Sequence, residues 1–298
     1  MLQTEPCNAC GSLRIAPWKV IGGHRLLRCR TCRLACLYPA PSSDELQALY
    51  DEKYFHSDCV ETESHSARSV GERMALLERL GRHGSVLDVG CGTGGFLAEA
   101  QRRGWRTKGL EISSWAAETA RREGLDVTTG SVLDVDCPPG SFDVVSFWDT
   151  LEHLPDPAGA LRRVRGWLRP DGVVIVRVVN CGSFDARAFG AAWRAWGLPY
   201  HLFHFCPRSL RTGLEKAGYE VISLRFGLSA VFFRFLFAPI AIPSHHAKLV
   251  AWTERRLTGL CRRLRAVANG TGGLGTRLRR LFPGPVMDAV ARPRRTGT

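Results

Sequence analysis

Three glycines alternate with other residues directly after an apolar segment that carries an acid. Gly90, Gly92 and Gly94 follow Asp88, and this pattern predicts a strand, a tight turn and the start of a helix. Such a turn brings the backbone close to a nucleotide-like ligand. Glu111 stands 17 residues after the last glycine, where a carboxylate can accept hydrogen bonds from both hydroxyls of a ribose. Taken alone, these residues also fit a dinucleotide-binding dehydrogenase.

Four cysteines near the start of the chain have the spacing of a metal site. Two Cys-x2-Cys pairs, Cys7 with Cys10 and Cys29 with Cys32, are separated by 18 residues. Four thiolates close a tetrahedral coordination sphere, so the spacing predicts a structural zinc ribbon and not a catalytic metal. The alternative is four buried thiols without a metal. We expect Cys36 to be a packed spare thiol.

Eleven cysteines in a chain that starts without the features of a secretory signal indicate a reducing compartment. We therefore expect metal ligands and buried thiols rather than disulfides, and a cytoplasmic protein.

Three histidines are candidates for acid–base chemistry, because imidazole titrates near neutral pH. His153 follows the fourth predicted strand, at the edge where such sheets bind ligands. His201 and His204 lie in an aromatic segment after the fifth strand. Each has a structural alternative: His153 can fix its loop by bonding Glu152, and the other two can be half-buried packing residues. Weaker options are Asp149, Asn180 and Tyr200.

Strands and helices alternate from residue 85 onwards. The strands are predicted at 85–90, 107–112, 126–132, 142–148, 172–179 and 219–226, and the helices at 94–103, 114–123, 157–168 and 207–217. This alternation predicts an α/β fold with a parallel sheet and helices on both faces. We expect a turn at 170–172, and residues 284–292 are the candidate for a seventh strand.

Two later motifs decide between the nucleotide-binding classes. Residues 141–157 read SFDVVSFWDTLEHLPDP, and residues 168–176 read LRPDGVVIV. Together with the glycine motif and the Glu111 segment, they resemble the ordered motifs of class I S-adenosylmethionine-dependent methyltransferases over residues 70–226. The cysteine pairs and the segment HLFHFCPRSL at 201–210 are similar to the zinc-ribbon-bearing branch of that family, and the core also resembles the ubiquinone-pathway O-methyltransferases.

This resemblance implies a Rossmann-like methyltransferase sheet, preceded by a small zinc ribbon and followed by a basic, partly amphipathic helical tail. The expected parts are a ribbon at 1–40, a linker with helices at 41–80, a methyltransferase core at 81–226 and a C-terminal extension at 227–298. The implied cofactors are S-adenosylmethionine and a structural Zn2+.

The resemblance also assigns the donor-binding residues. Asp88 and the backbone of Gly90, Cys91, Gly92 and Gly94 are expected to hold the methionine end and approach the ribose, with Cys91 contributing its backbone and not a nucleophilic thiol. The resemblance implies that Glu111 accepts hydrogen bonds from the ribose hydroxyls, that Ile112 lies against the adenine and that Trp148 lines the methionine pocket.

Two contacts with the methyl donor have alternative assignments. Ser131 and Val132 stand where family members usually carry an acid for the adenine amine, so either Ser131 substitutes or Asp134 reaches in. Arg73 either meets the methionine carboxylate or, as we expect, is a solvated helix residue.

The positive charge is confined to the last third of the chain. From Arg208 onwards there are 17 of the 41 basic and 4 of the 28 acidic residues, so residues 1–207 carry 24 of each and the net charge of +13 belongs to the remainder. An apolar stretch at 228–242, too short and broken to predict a membrane span, precedes an amphipathic basic helix at 248–265. Such a tail is typical of contact with an anionic membrane or with nucleic acid, or of a helical lid with a solvated basic face.

The expected function is methyl transfer to a small-molecule, sugar or lipid-linked acceptor, with the enzyme cytoplasmic or peripheral on the inner membrane surface. The apolar stretch before the basic helix favours a lipid-like acceptor over nucleic acid. One alternative is a zinc-finger RNA base methyltransferase, which the neutral first 207 residues disfavour. The other is a non-catalytic cofactor-binding protein, which the intact Asp88, glycines and Glu111 disfavour.

Overall fold

In the computed structural model of the chain, residues 5–50, 55, 67–81, 83–228 and 283–294 are described. The predicted basic helix at 248–265 and the apolar stretch beyond residue 228 lie outside these ranges. None of the described helices has the length and apolar character needed to cross a membrane.

The described strands form two sheets. In chain order they are β1 (Ile15–Ile21), β2 (His24–Cys29), β3 (Ala35–Tyr38), β4 (Ser85–Val89), β5 (Arg106–Glu111), β6 (Val127–Thr129), β7 (Phe142–Trp148), β8 (Leu168–Val179), β9 (Phe203–His204), β10 (Tyr219–Leu228) and β11 (Pro283–Pro293). The described α-helices are α1 (Ser43–Leu49), α2 (Ala67–Glu78), α3 (Gly95–Arg102), α4 (Ser114–Arg122), α5 (Pro157–Trp167), α6 (Phe184–Phe189) and α7 (Pro207–Lys216).

The large sheet has the strand order β10-β11-β8-β7-β4-β5-β6. Strands β4 to β8 pair in parallel, as predicted, and all five residues of β4 are buried because both faces of the sheet are covered. Residues 284–292 do supply a seventh strand, β11, which pairs antiparallel with both β8 and β10. The α/β fold is therefore confirmed, and the prediction of a wholly parallel sheet is wrong at this one strand.

Two local predictions also need correction. Strand β8 begins at Leu168, so the turn expected at 170–172 is instead an irregularity within the strand, where its pairing with β7 shifts register. Strand β6 ends at Thr129 rather than at 132, because Gly130 leaves the extended conformation with φ of 148°.

The small sheet joins the N-terminal ribbon to the core. Its strand order is β1-β2-β3-β9, and β9 comes from the segment that follows β8. The buried ribbon residues Ala9 and Leu34 belong to the same hydrophobic cluster as Leu210 and Leu214 of α7. The ribbon therefore packs on the core. Residues 283–293, placed in the C-terminal extension by sequence, likewise belong to the core sheet.

Candidate functional site

The glycine turn lies at the carboxyl end of β4, at the edge where parallel sheets bind ligands. Gly90 has φ of 73°, and its backbone N–H donates to the Leu110 carbonyl at 2.7 Å. A Cβ at Gly90 would lie 2.5 Å from Thr150 Cγ2, and one at Gly94 would lie 2.3 Å from Leu125 Cδ1. Both positions therefore require glycine, and the turn is held tightly against the sheet.

Glu111 fixes this turn from the neighbouring strand. Its side chain is buried, one oxygen accepts from the Gly92 N–H at 2.8 Å, and the other accepts from the Ser113 N–H at 2.9 Å. Burial raises its pKa above the ordinary value, and the backbone hydrogen bonds oppose the rise. Each carboxylate oxygen has two lone pairs, so the group can hold the turn and still accept a ligand hydroxyl.

Asp88 and Cys91 are buried beside the turn. Asp88 accepts from the Ser146 hydroxyl at 2.8 Å, and burial raises its pKa to about 7. The Cys91 thiol packs against Gly109, where an added Cβ would come within 2.6 Å of the sulfur, and burial raises its pKa well above the ordinary value. A protonated, packed thiol fits the expectation that Cys91 contributes only backbone.

Trp148 is buried at the end of β7 and lies between aromatic and cationic neighbours. Its ring is 5.4 Å from Phe96, and the guanidinium groups of Arg73 and Arg177 lie 5.8 Å and 5.4 Å from it. Arg73 is only 6% exposed and pairs with Asp149 at 3.2 Å, so the prediction of a solvated Arg73 is wrong.

The adenine-side candidates separate into three environments. Ile112 is 41% exposed next to Glu111, whereas Val132 is buried in the core. Ser131 uses its hydroxyl to accept from the Leu133 N–H at 3.1 Å, and Asp134 is exposed. The residue that meets the adenine amine therefore stays a prediction.

The three candidate histidines lie in one cluster. The His153 and His201 rings are 4.7 Å apart and nearly perpendicular, and the His201 and His204 rings are 6.3 Å apart. Tyr50, which is not among the site residues predicted from sequence, places its hydroxyl 2.9 Å from His153 Nδ1. Tyr50 and not Glu152 is thus the side-chain partner of His153.

All three imidazoles are neutral at pH 7. Burial lowers the pKa of His153 and of His204 to about 4, and lowers that of His201 well below its ordinary value. His204 donates from Nε2 to the Trp196 carbonyl at 3.0 Å. The His201 ring donates a hydrogen bond to the backbone carbonyl of Ala195. In the described part of the chain, Nδ1 of His201 and Nδ1 of His204 are buried without a partner.

Glu152 connects the histidine cluster to the sheet. One carboxyl oxygen accepts from the Val179 N–H at 3.1 Å, and its backbone carbonyl accepts from the Leu202 N–H at 2.9 Å. The other carboxyl oxygen is buried without a partner among the described residues. Burial, with a contribution from Asp149, raises its pKa to about 8, so the group is largely protonated at pH 7.

The four predicted metal ligands are together. All four sulfur atoms lie within 4.8 Å of one another, with Cys7 to Cys32 at 3.5 Å and Cys10 to Cys29 at 3.6 Å. A tetrahedral zinc with bonds of about 2.3 Å needs sulfur atoms about 3.8 Å apart, so the cluster fits such an ion. Cys36 lies outside the cluster and is half-buried, and burial raises the pKa of its thiol to about 12.

Comparison with known proteins gives the family. The model of a methyltransferase domain matches residues 63–224, which is more than half of the chain. The chain belongs to the methyltransferase domain family.

Two relatives share the methyltransferase core. The ubiquinone biosynthesis O-methyltransferase of Neisseria meningitidis serogroup C is 39% identical over 108 residues, covering 32% of this chain and 44% of that protein. The protein of the same name from Xanthomonas euvesicatoria pv. vesicatoria is 33% identical over 150 residues, covering 46% of this chain and 62% of that protein. The chain thus spans less than two thirds of each relative.

Solved structures share the methyltransferase fold at low identity. A SAM-dependent methyltransferase from Archaeoglobus fulgidus aligns with a TM-score of 0.53 at 18% identity, covering 81% of this chain and 99% of that one. The [4+2]-cyclase SpnF aligns with a TM-score of 0.55 at 17% identity, covering 86% of this chain and 98% of that one. Because one of these is named a cyclase, the fold alone does not specify the reaction.

Replacing Glu152 by glutamine is expected to remove a pH dependence of folding stability. In the folded chain the pKa of Glu152 is about 8, above the ordinary 4.5. Protonated Glu152 therefore contributes to folding stability fully below about pH 4.5, and this contribution is lost as the pH rises towards 8. Urea unfolding from pH 5 to 8 should show wild type losing up to about 1.4 kcal/mol per pH unit relative to Glu152→Gln. Exposed Glu123→Gln should follow wild type. Parallel curves for wild type and Glu152→Gln would show that Glu152 is ionised.

Proposed function

We propose that this methyltransferase transfers a methyl group from S-adenosylmethionine to a hydroxyl group of a small-molecule or lipid-linked acceptor. The observation that carries the proposal is the junction between Glu111 and the glycine turn, where one buried carboxylate holds Gly92 and Ser113 at the ends of two parallel strands. The O-methyltransferase names of two relatives support a hydroxyl acceptor.

The donor side of the proposal uses the edge formed by β4, β5 and β7. Glu111 accepts the ribose hydroxyls, exposed Ile112 covers the adenine, and the backbone from Gly90 to Gly94 follows the methionine end. The positive charge of Arg73 opposes the rise in the pKa of buried Asp88, and Arg73 is the residue we assign to the methionine carboxylate. The bound sulfonium supplies an activated methyl group.

On the acceptor side, His201 is the general base. The residue as a whole is half-buried and neutral, and its Nδ1 is a buried nitrogen without a partner among the described residues. His153 Nδ1 is already bonded to Tyr50, and His204 is only 2% exposed with Nε2 bonded to Trp196. His201 therefore accepts the hydroxyl proton, while the other two fix its position. Positioning lowers the barrier further by aligning acceptor oxygen and methyl group.

The cysteine cluster holds a structural zinc ion. The ion closes the ribbon, and the ribbon in turn pairs β3 with β9, where Cys36 faces Phe203 and Ala35 faces His204. Cys206 follows this strand, and its thiol contacts the carbonyl of Cys32, a proposed ligand. Through these contacts the zinc stabilises residues 201–206, which we call the histidine segment.

Glu111→Gln is expected to weaken S-adenosylmethionine binding at least about tenfold, because an amide replaces one acceptor oxygen that faces backbone N–H groups. Isothermal titration calorimetry measures the dissociation constant. Glu118→Gln, on the exposed face of α4, should bind as wild type does. Equal affinity in wild type and Glu111→Gln, or no binding by wild type, would contradict the donor site.

His201→Gln is expected to lower methyl transfer by about 10²–10⁴-fold through loss of the base, with donor affinity unchanged. The assay is release of S-adenosylhomocysteine with a panel of catechols, sugars, hydroxylated lipids and RNA. His83→Gln, an exposed histidine, is the matched control. Activity on RNA alone, or full activity of His201→Gln, would refute this assignment.

Metal analysis is expected to find one zinc ion per chain in wild type and in Cys36→Ser, and to find it lost in Cys10→Ser. Zinc loss should broaden the imidazole NMR signals of His201 and His204, while calorimetry still detects donor binding. Sharp imidazole signals in zinc-free protein would show that the ribbon does not hold the histidines.

A further inference from the structure

Two basic side chains of the ribbon lie against aromatic rings, one of which belongs to Trp196 near the histidine cluster. The Lys19 ammonium is 5.0 Å from the Trp18 ring and 5.2 Å from the Trp196 ring, and the Arg28 guanidinium is 4.5 Å from the Trp18 ring. The Trp18 and Trp196 rings meet edge to face at 5.8 Å. We call these four residues the ribbon cation site.

A β-bulge builds this site. The pairing of β1 with β2 shifts register between Pro17 and Lys19, so Trp18 is the extra residue of the bulged strand. A bulge changes the direction in which neighbouring side chains point. Here Trp18 packs against the cluster that contains Trp196, and Lys19 reaches the same ring from the ribbon.

Neither cation has an acidic partner in the described ranges of the chain. Lys19 and Arg28 are half-buried, no ion pair with a described carboxylate involves them, and Arg28 Nε is buried without a hydrogen-bond partner. Partly buried cations without counterions favour an anionic ligand, because the field is screened less than at an open surface. The guanidinium supplies paired donors and the ammonium a point charge, which suits a phosphate.

The ribbon cation site adjoins the histidine cluster through Trp196. Trp196 is held by its Nε1 donating to the Gly190 carbonyl at 2.8 Å, and its ring lies 5.2 Å from the His204 ring. Cys181 donates to the His204 carbonyl at 3.4 Å. Burial raises the pKa of Cys181 to about 12, and the charges of Arg28 and Lys19 oppose this rise, so both cations act within electrostatic reach of the histidine segment.

We propose that Lys19 and Arg28 bind a phosphate or diphosphate group of the acceptor, while the hydroxyl to be methylated lies at His201. The Trp196 ring lies 5.2 Å from the Lys19 ammonium and 5.2 Å from the His204 ring, so the acceptor runs alongside this residue from the cations to the histidine cluster. The inference rests on the proposed function for the identity of the reacting group, whereas the anion site itself is tested without methyl transfer.

The test is a titration of the zinc-loaded chain with inorganic pyrophosphate at constant ionic strength, followed by tryptophan fluorescence. Lys19→Gln and Arg28→Gln should each weaken binding about tenfold, because each removes a charge-assisted contact. Arg14→Gln, which removes an exposed charge from the same ribbon, should change it less than about twofold. Thermal unfolding and zinc content check that each variant is folded.

A parallel arm uses vesicles of phosphatidylglycerol. Pyrophosphate binding that depends on Lys19 and Arg28 assigns the site to a soluble phosphorylated acceptor, and vesicle binding with the same dependence assigns it to a lipid headgroup. The proposal is overturned if neither probe binds, or if Arg14→Gln weakens binding as much as Arg28→Gln. Donor affinity, measured by calorimetry, should be unchanged in all three variants, so failure here is distinct from failure of the Glu111 donor site.

Discussion

The structure depends on one buried carboxylate at the edge of its sheet. Glu111 stands at the end of β5 and accepts N–H bonds from the glycine turn after β4 and from the start of α4. A carboxylate in this position is costly to bury, and the two backbone donors offset part of that cost. The same bonds hold the turn in the shape seen here, so the surface proposed for the methyl donor is formed by the chain's own contacts.

The histidine cluster, which we propose for the acceptor, is built differently, because its residues come from separate parts of the chain. His153 comes from the loop after β7, His201 from the segment before β9, and Tyr50 from the linker after the ribbon. Each imidazole is kept neutral by burial rather than by a charged partner. An imidazole held in this way carries no proton at physiological pH, and its low pKa depends on the elements that exclude water around it.

The donor half could be predicted from sequence because its residues are close in the chain and each has a steric or bonding reason to be there. Gly90 needs positive φ, and Glu111 follows at a fixed distance along a strand–helix–strand unit. The burial of Arg73 could not be predicted, since it depends on Asp149 and Trp148 far along the chain. The two-residue strand β9 and the bulge at Trp18 carry no sequence pattern of their own, so the contacts between ribbon and histidines appear only in three dimensions.

The place of β11 in the sheet has a consequence for how the chain folds. This strand lies between β8 and β10 but follows both in the chain. Strand β10 therefore joins the sheet only after β11 has paired with β8. Until then β8 presents an unpaired edge, which is prone to associate with other strands. Arg177 on β8 pairs with Asp288 on β11, 111 residues further along the chain, and contacts of such long sequence separation are expected to form later than those within the local strand–helix units.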